Sequence, residues 1–519
     1  EAEAAGEAKD PERVKELFGE TLDEVEKLST CYSLSQITYY QNIFDEKNQE
    51  IQAELLDDVM DYGDRLNVAI RELCKSPYQN TMTELMNAEQ VEAYLEYEEM
   101  TDEEKELTAK ENSLEQEYEQ LSSEEFYYEY DGEEWDLNRL NMEADEMDHD
   151  AVIEIYQGIC KQRNDAVGEV FVELVDVRNE IAKLNGYDNY AEYAYDAVYV
   201  RDYTLDETRD LLKEIRKHVV PVMADMKDVL NDTDYMRLYS EGQGIESTSI
   251  IEQIGPYLEE IDPELKDTQE HFLKYQLYDM DTSQNKANTA FTMRLSYFKD
   301  GFIYGQMYDN YMDYYNVIHE FGHYNNVYRS ADTFFESSNN IDVSEIHSQG
   351  MQMLFYDYYD ELLGEDIGDI YAFYDVYSMA DNAISTALIS EFEIAAYENP
   401  DMTLEELNKL YLQLSRRYGM QYDSKIKELY TWSEVPHIFT SPCYYFSYLT
   451  SAFSSLDILT MAEKDRHEAV ETYMTLTTIP GYVPYCSAVE YAGLRDIFDD
   501  GVAQDIIEET ASILGVKGY

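Results

Sequence analysis

The sequence has few basic side chains, few prolines and no long apolar run. Lys and Arg number 37 against 111 Asp and Glu, a net charge of −74. That charge argues against nucleic-acid binding and against docking on anionic membranes, since both need clustered cations. A helix that crosses a bilayer needs about 18 or more consecutive apolar residues, and the sequence has no such run. The 10 prolines and 22 glycines form no linker that would divide the chain.

Cysteine is scarce as well. The five cysteines are odd in number and form no CxxC pair, which excludes a disulfide framework and a cysteine zinc site. One pair, for example Cys31 with Cys74, could still form a bridge. Cys443 is expected to be buried and inert.

The chain nevertheless has enough apolar material to fold. Hydrophobic residues make up 44% of its 519 residues, too many for a disordered acidic tail. The acidic excess indicates a strongly solvated, self-repelling surface. The alternative is an electrostatic field that steers cationic substrates.

The first residues read EAEAAGEAKDPERV, without Met and without an apolar signal segment. We expect a processed or trimmed chain. This start slightly favours an extracytoplasmic or secreted protein, with a cytoplasmic protein as the alternative. Whether residues 1–6 are native or a cloning scar stays open.

Long stretches with apolar residues at helical spacing predict a mainly α protein. Asp10 followed by Pro11 indicates a helix start, and Thr101 with Glu104 indicates a capping box. A further helix is predicted to end at Gly186. Segment 288–308 has β-branched and aromatic residues around Lys-Asp-Gly and predicts one small β-hairpin. We expect an N-terminal lobe over 1–200 and a second lobe over 201–519, with the boundary between 200 and 245.

One motif carries the chemistry: His319-Glu320-Phe321-Gly322-His323. On a helix, residues i and i+4 share a face, so both imidazoles can bind one Zn²⁺ per chain. Glu320 would lie beside the water that the metal activates and would act as its general base. A third ligand is needed, and Glu345 can supply it from the next helix. Asp342 could accept the free N–H of a ligand histidine, or cap that helix.

HEFGH followed by IDVSEIHSQ resembles the thimet oligopeptidase and oligoendopeptidase F family of zinc metallopeptidases. Asp342, Glu345, Ser348 and Gln349 match the family pattern D-x-x-E-x-x-S-Q. Segments 174–195, 432–453 and 480–498 are similar to further family segments, so the resemblance extends from about residue 160 almost to the end. It implies a helical body split by a deep channel that admits only short peptides.

The resemblance also implies further roles. His437 would contact the substrate, and the hydroxyl of Tyr448 would stabilise the oxyanion. Tyr444 and Tyr445 are the rival tyrosines. Two positions depart from the family: Gln352 stands where a Glu is usual, and His347 where thimet-type members have Pro. We expect His347 to be an ordinary polar residue.

The sequence therefore predicts a zinc-dependent endopeptidase of oligopeptidase type that hydrolyses internal bonds of short peptides. The first alternative is a zinc carboxypeptidase or dipeptidyl carboxypeptidase, which needs a basic group for the substrate carboxylate. Arg416 and Arg417 are available for that role. The second alternative is a non-catalytic peptide-binding protein on the same scaffold, although an intact Glu320 argues against it.

Overall fold

The computed structural model describes residues 10–96, 100–144, 147–229, 232–242, 244–330, 340–420, 422 and 426–519. Residues 1–6, whose origin stays open, lie outside the described residues.

The fold is mainly α, as predicted. Its first half contains helices α1 (Pro11–Gln41), α2 (Glu46–Cys74), α3 (Gln79–Leu85), α4 (Ala88–Glu96), α5 (Asp102–Ser122), α6 (Leu137–Glu143), α7 (His149–Leu184), α8 (Tyr190–Tyr193), α9 (Leu205–Glu214), α10 (Val220–Val229), α11 (Asp232–Ser240), α12 (Ser247–Gln253), α13 (Gly255–Ile261) and α14 (Pro263–Tyr275).

The second half continues the helical body. It contains α15 (Met312–Arg329), α16 (Ile341–Phe355), α17 (Tyr359–Leu363), α18 (Glu365–Glu398), α19 (Leu404–Arg417), α20 (His437–Thr440), α21 (Phe446–Lys464), α22 (Arg466–Leu476), α23 (Tyr485–Ala492) and α24 (Val502–Ile513). Short π-helical turns lie at Ala194–Val198 and Ile215–Val219, and 3₁₀ turns at Ser296–Phe298, Tyr356–Tyr358 and Thr431–Glu434.

Two small sheets interrupt the helices. Strands β1 (Tyr128–Tyr130) and β2 (Glu133–Trp135) form an antiparallel pair in addition to the one predicted hairpin. Strands β3 (Tyr278–Asp279), β4 (Ala290–Leu295) and β5 (Asp300–Gly305) form a second sheet in the order β3-β5-β4. Its β4–β5 pair is antiparallel, so the hairpin predicted within 288–308 is confirmed. Strands β4 and β5 both pack against α15, which carries the HExxH motif.

The predicted helix ends agree with the structure. The Asp10 side chain accepts from the backbone N–H groups of Glu12 and Arg13 and so caps α1. Thr101 and Glu104 form both bonds of a capping box at the start of α5. Helix α7 ends at Leu184, and Gly186 follows in the left-handed region at φ 87°.

The main hydrophobic core is continuous along most of the chain. Its buried members run from Leu114 on α5 to Val516 after α24, and they include α7 as well as α15, α16 and α21. A smaller cluster lies between α1, α2 and α4, and another surrounds Trp135. Residues on both sides of the 200–245 region therefore share one core. The division into two lobes stays a prediction.

The five cysteines are free, so Cys31 and Cys74 do not form a bridge. Cys443 is buried, as expected, and burial raises the pKa of its thiol. No helix among the described residues is long and apolar enough to cross a membrane.

Candidate active site

Two neighbouring helices bring the predicted metal ligands together. Helix α15 carries His319, Glu320 and His323, and its apolar positions, such as Val317 and Phe321, are buried in the core. Helix α16 begins after Asn340, whose side chain accepts from the N–H of Asp342, and carries Glu345 one turn later. Because α15 and α16 pack against each other, the three side chains face one point.

The donor atoms of His319, His323 and Glu345 all lie within 4.8 Å of one another. The Nε2 atoms of both histidines are 3.3 Å from the same Glu345 oxygen, Oε2. The two imidazole rings are 5.0 Å apart and nearly perpendicular, at 81°. Two imidazole nitrogens and one carboxylate oxygen form a donor set that catalytic zinc sites use, so these residues fit the ion.

A glycine makes this approach of α15 to α16 possible. A Cβ atom at Gly322 would lie 2.4 Å from the carbonyl oxygen of His347 and 2.7 Å from the Cα of Ser348. Both are backbone atoms of α16, and they cannot move aside as a side chain can. The Gly of HEFGH therefore sets the distance between the helices, and through it the distance between the ligands.

The charge distribution suits a cation. Burial disfavours a charged His319, but its hydrogen bond to Glu345 and the Glu345 charge outweigh burial and raise the pKa of His319 to about 9. Burial likewise acts against the Glu345 carboxylate, yet His323 and His319 hold its pKa well below the usual range. The carboxylate is therefore ionised and directed at the two imidazoles.

Glu320 is next to the ligands and 5% exposed. The hydroxyl of Thr292 on β4 donates to Glu320 Oε2 at 2.8 Å and lies 2.9 Å from the Glu320 carbonyl oxygen. Strand β4 thus holds one oxygen of the predicted base.

A cavity of about 340 Å³ opens beside these residues. Its walls come from β4, α15, α16 and the segment from Ile479 to Ala488. They include His319, Glu320, His323 and Glu345, together with apolar residues and Arg294. His347 also contributes to the wall. Burial lowers the pKa of its imidazole to about 3, which keeps it neutral.

The predicted histidine and tyrosines form an aromatic cluster. The His437 ring centroid lies 5.6 Å from Tyr444, 5.0 Å from Tyr445 and 6.2 Å from Tyr448. Burial, together with the charge of Glu345, raises the pKa of Tyr444 and of Tyr448. For Tyr445 the acidic neighbour is Glu393 instead. Of the three tyrosines, Tyr444 and Tyr448 are therefore the two whose pKa responds to the charge of the ligand Glu345.

Buried side chains hold the backbone that leads to these tyrosines. Arg178 on α7 donates to the carbonyl oxygens of Ile438 and Phe439. Arg201 donates to the carbonyl oxygen of Cys443 at 3.1 Å, and Glu393 accepts from the Cys443 N–H at 2.9 Å. These bonds keep Cys443 in the left-handed region, at φ 64°. Such a backbone is strained for a residue other than glycine and needs support of this kind.

Sequence reasoning missed this support. Segment 174–195 contains Arg178 in an otherwise apolar helical stretch, and that is the signal which could have pointed to a buried, bonded arginine. Arg178 also pairs with Glu111 and Glu115 on α5. No sequence signal linked Arg201 or Glu393 to the tyrosines.

Neither role predicted for Asp342 is found: Asn340 caps α16, and the Asp342 carboxylate has partners other than a ligand histidine. Its carboxylate accepts from Arg201, from the hydroxyl of Tyr203 at 2.8 Å and from the hydroxyl of Ser447 at 2.5 Å. Both oxygens thus bond to Arg201, Tyr203 and Ser447, and Nδ1 of the ligand His319 has Gln352 as its partner instead. Asp342 instead ties the start of α16 to α21, which follows the tyrosines.

Gln352, one of the two departures from the family pattern, takes the place predicted for Asp342. Its Oε1 atom lies 3.0 Å from Nδ1 of His319. An amide oxygen, not a carboxylate, is therefore the partner of that ring nitrogen.

Comparison with models of protein families finds no match, and comparison with curated proteins finds none. Solved structures do match. A proposed oligoendopeptidase F is 23% identical over 98% of this chain and 97% of its own, with a TM-score of 0.74. Pz peptidase A, solved with an inhibitor, is 24% identical over 94% of this chain and 90% of its own, with a TM-score of 0.73. A proposed oligoendopeptidase F from Bacillus anthracis is 22% identical over 98% and 93%, with a TM-score of 0.72.

At these identities the similarity shows the fold. The chain has the mainly α fold of the oligoendopeptidase structures, so the mainly α fold that the sequence resemblance implied is confirmed, while the deep channel stays a prediction.

Proposed function

We propose that this chain is a zinc metallopeptidase of the thimet oligopeptidase and oligoendopeptidase F family that cleaves internal bonds of short peptides. One observation carries the proposal: the donor atoms of His319, His323 and Glu345 lie within 4.8 Å of one another, next to Glu320 and on a cavity wall. The peptidase names of the structures with the same fold support it.

His319, His323 and Glu345 would hold one Zn²⁺ and leave a fourth position open, as catalytic zinc sites do. When bound, the ion would polarise the scissile carbonyl and acidify a water molecule. The remaining steps belong to side chains of this protein.

Glu320 would act as the general base. Thr292 donates to Oε2 of Glu320, which leaves Oε1 to take the proton of the attacking water. The same carboxyl group would then deliver that proton to the leaving amine. Because a hydrogen bond fixes one oxygen of this carboxylate, the group is already oriented for both proton transfers and loses little conformational entropy in them.

Tyr448 would donate a hydrogen bond to the oxyanion that forms as the carbonyl is attacked. Its raised pKa keeps the phenol protonated and able to donate. Tyr444 is the rival donor, because burial and the charge of Glu345 raise its pKa as well. His437, whose pKa is lowered by burial, would contact the substrate as a neutral ring.

The carboxypeptidase alternative has one observation in its favour. Arg294 lies in the cavity wall and donates to the hydroxyl of Ser330 at 2.6 Å. A guanidinium at that place could also bind a substrate carboxylate. Arg416 and Arg417 do not line the cavity, and Arg416 donates to the carbonyl oxygen of Ile426.

The test is hydrolysis of internally quenched peptides of graded length, each in a form blocked at both ends and a form with a free C-terminus. Wild type is compared with Glu320→Gln, and zinc content is measured for both. Glu169→Gln is the matched control, because Glu169 is an exposed acid on α7. We expect wild type and control to cleave blocked peptides internally, while Glu320→Gln binds zinc and cleaves none.

Three other outcomes would contradict this proposal. Cleavage of free-C-terminus peptides alone favours the carboxypeptidase alternative. Zinc binding without any cleavage favours the peptide-binding protein. Absence of zinc binding by the wild-type protein contradicts the proposed metal site.

A further inference from the structure

A buried chain of hydrogen bonds leads from His319 to residues that do not line the cavity. Gln352 Oε1 lies 3.0 Å from His319 Nδ1, and Gln352 Nε2 donates to Asp375 Oδ1 at 2.7 Å. The Tyr359 hydroxyl donates to the other oxygen of Asp375, also at 2.7 Å. Gln352 and Tyr359 are 0% exposed and Asp375 is 1% exposed, so water does not compete for these bonds.

The polarity of this chain has one consistent direction. A carboxylate only accepts hydrogen bonds, so Asp375 requires the NH₂ end of the Gln352 amide. The carbonyl end then faces His319, whose Nδ1 must carry the hydrogen. Burial raises the pKa of Asp375 to about 6, and the group is therefore ionised at a pH of about 7.5.

This direction decides which nitrogen of His319 can bind a metal. In the neutral ring that a metal binds, hydrogen on Nδ1 leaves the lone pair on Nε2. Nε2 is the atom that lies 3.3 Å from Glu345 Oε2, in the ligand group. The ring itself is held by Tyr315, which stacks on it at 5.6 Å and 18°.

We propose that Asp375, which does not touch the ligand group, is a positioning residue that sets the metal-binding tautomer of His319 through Gln352. The inference rests on the proposed metal site. A glutamate in place of Gln352 would accept at both ends and would need no such partner. A glutamine has a donor end and an acceptor end, so a third residue must orient it. Asp375 on α18 is that residue.

Asp375→Asn tests the proposal, because it reverses one hydrogen bond without changing the size of the side chain. Tyr359 would still donate to the asparagine oxygen, so the asparagine NH₂ would face Gln352. The amide of Gln352 would then turn and present its own NH₂ to His319 Nδ1. We expect a zinc dissociation constant about 10- to 100-fold higher, measured by competition with a chelator at a pH of about 7.5.

A second substitution should restore binding. In the double variant Asp375→Asn with Gln352→Glu, the new carboxylate accepts from both the asparagine and His319 Nδ1. We expect its zinc dissociation constant to return to within about threefold of wild type. Tyr359→Phe is the matched control: it removes a buried bond to Asp375 but leaves the acceptor that faces Gln352. Thermal unfolding of the metal-free proteins reports any loss of folding.

Unchanged zinc affinity in Asp375→Asn would overturn the proposal. So would equal losses in Asp375→Asn and in the double variant, since they would indicate general damage to packing. These readouts need no peptide cleavage. If wild type binds zinc and shows the loss and the rescue but cleaves no peptide, the proposed function fails and this inference stands.

Discussion

Glu393→Gln should make the protein more stable at neutral and alkaline pH. Glu393 is fully buried on α18 and accepts from the Cys443 N–H at 2.9 Å. Burial raises its pKa from the ordinary 4.5 to about 7, against the opposing effects of that hydrogen bond and of the charges of Arg178 and Arg201. The other ionisable groups near it are the thiol of Cys443 and the phenols of Tyr199, Tyr397 and Tyr445.

The magnitude follows from the two pKa values. An acid whose pKa is raised by folding binds its proton more tightly in the folded state than in the unfolded state. The contribution of Glu393 to stability is therefore complete below pH 4.5 and is lost as the pH rises through 7. At about 1.4 kcal/mol per pKa unit, the loss is roughly 3 kcal/mol. A glutamine is neutral at every pH and its carbonyl can still accept from Cys443. As the pH rises from 4.5 to 7, the free energy of unfolding of the variant should therefore increase relative to wild type by roughly 3 kcal/mol. The difference should then stay constant above pH 7.

Urea unfolding of chelator-treated proteins at several pH values would measure this gap. Metal-free protein is needed because ligand protonation also depends on pH. Tryptophan fluorescence is a suitable probe, since Trp432 is buried and the chain has only two tryptophans. A gap between the two proteins that is the same at every pH would refute the reasoning, because a constant difference reflects packing alone.

Further substitutions test other features. Gly322→Ala should lower the free energy of unfolding by about 1–3 kcal/mol and weaken zinc binding, because the new Cβ would meet backbone atoms of the next helix. Gly63→Ala is the control: a Cβ there would have no atom within 4 Å, so this variant should be more stable than wild type. Equal melting temperatures for both would contradict this. Arg201→Met removes the charged partner of the buried Asp342 carboxylate. It should lower the free energy of unfolding, measured with urea, by about 3–5 kcal/mol. A loss below about 1 kcal/mol is typical of an exposed ion pair and would contradict the buried pair. Tyr448→Phe should lower kcat about 10²- to 10³-fold with little change in KM, whereas Tyr445→Phe should stay within a few fold; a reversed order in peptide assays would move the oxyanion role.

Local sequence rules predicted the parts of the fold and of the site that depend on neighbours in the chain. The two histidines of HEFGH share a face because they are four residues apart. Thr101 and Glu104 form their capping box for the same reason. The β4–β5 hairpin joins segments only a few residues apart. In each case one segment contains the whole physical cause.

The predictions that the structure contradicts concern side chains whose partners are distant in the sequence. The sequence predicts that Asp342 supports a histidine or caps a helix, but its partner Arg201 is 141 residues away and its partner Ser447 is 105 away. In the sequence, Gln352 stands where the family has a Glu, and only the position of Asp375 on α18 shows how an amide can take that place. Pairing of this kind depends on how helices pack, and no local pattern encodes it.

The bonds from Arg178 to the backbone near His437 have a consequence for biosynthesis. Arg178 and Ile438 are 260 residues apart in the chain. At about 5–20 residues per second, a ribosome needs roughly 13–50 seconds to add the second partner after the first. Until then the growing chain has an arginine without its carbonyl partners, and the segment with His437 and Tyr448 does not yet exist. A nascent chain can therefore contain all three metal ligands while it still lacks the residues proposed to contact substrate and stabilise the oxyanion.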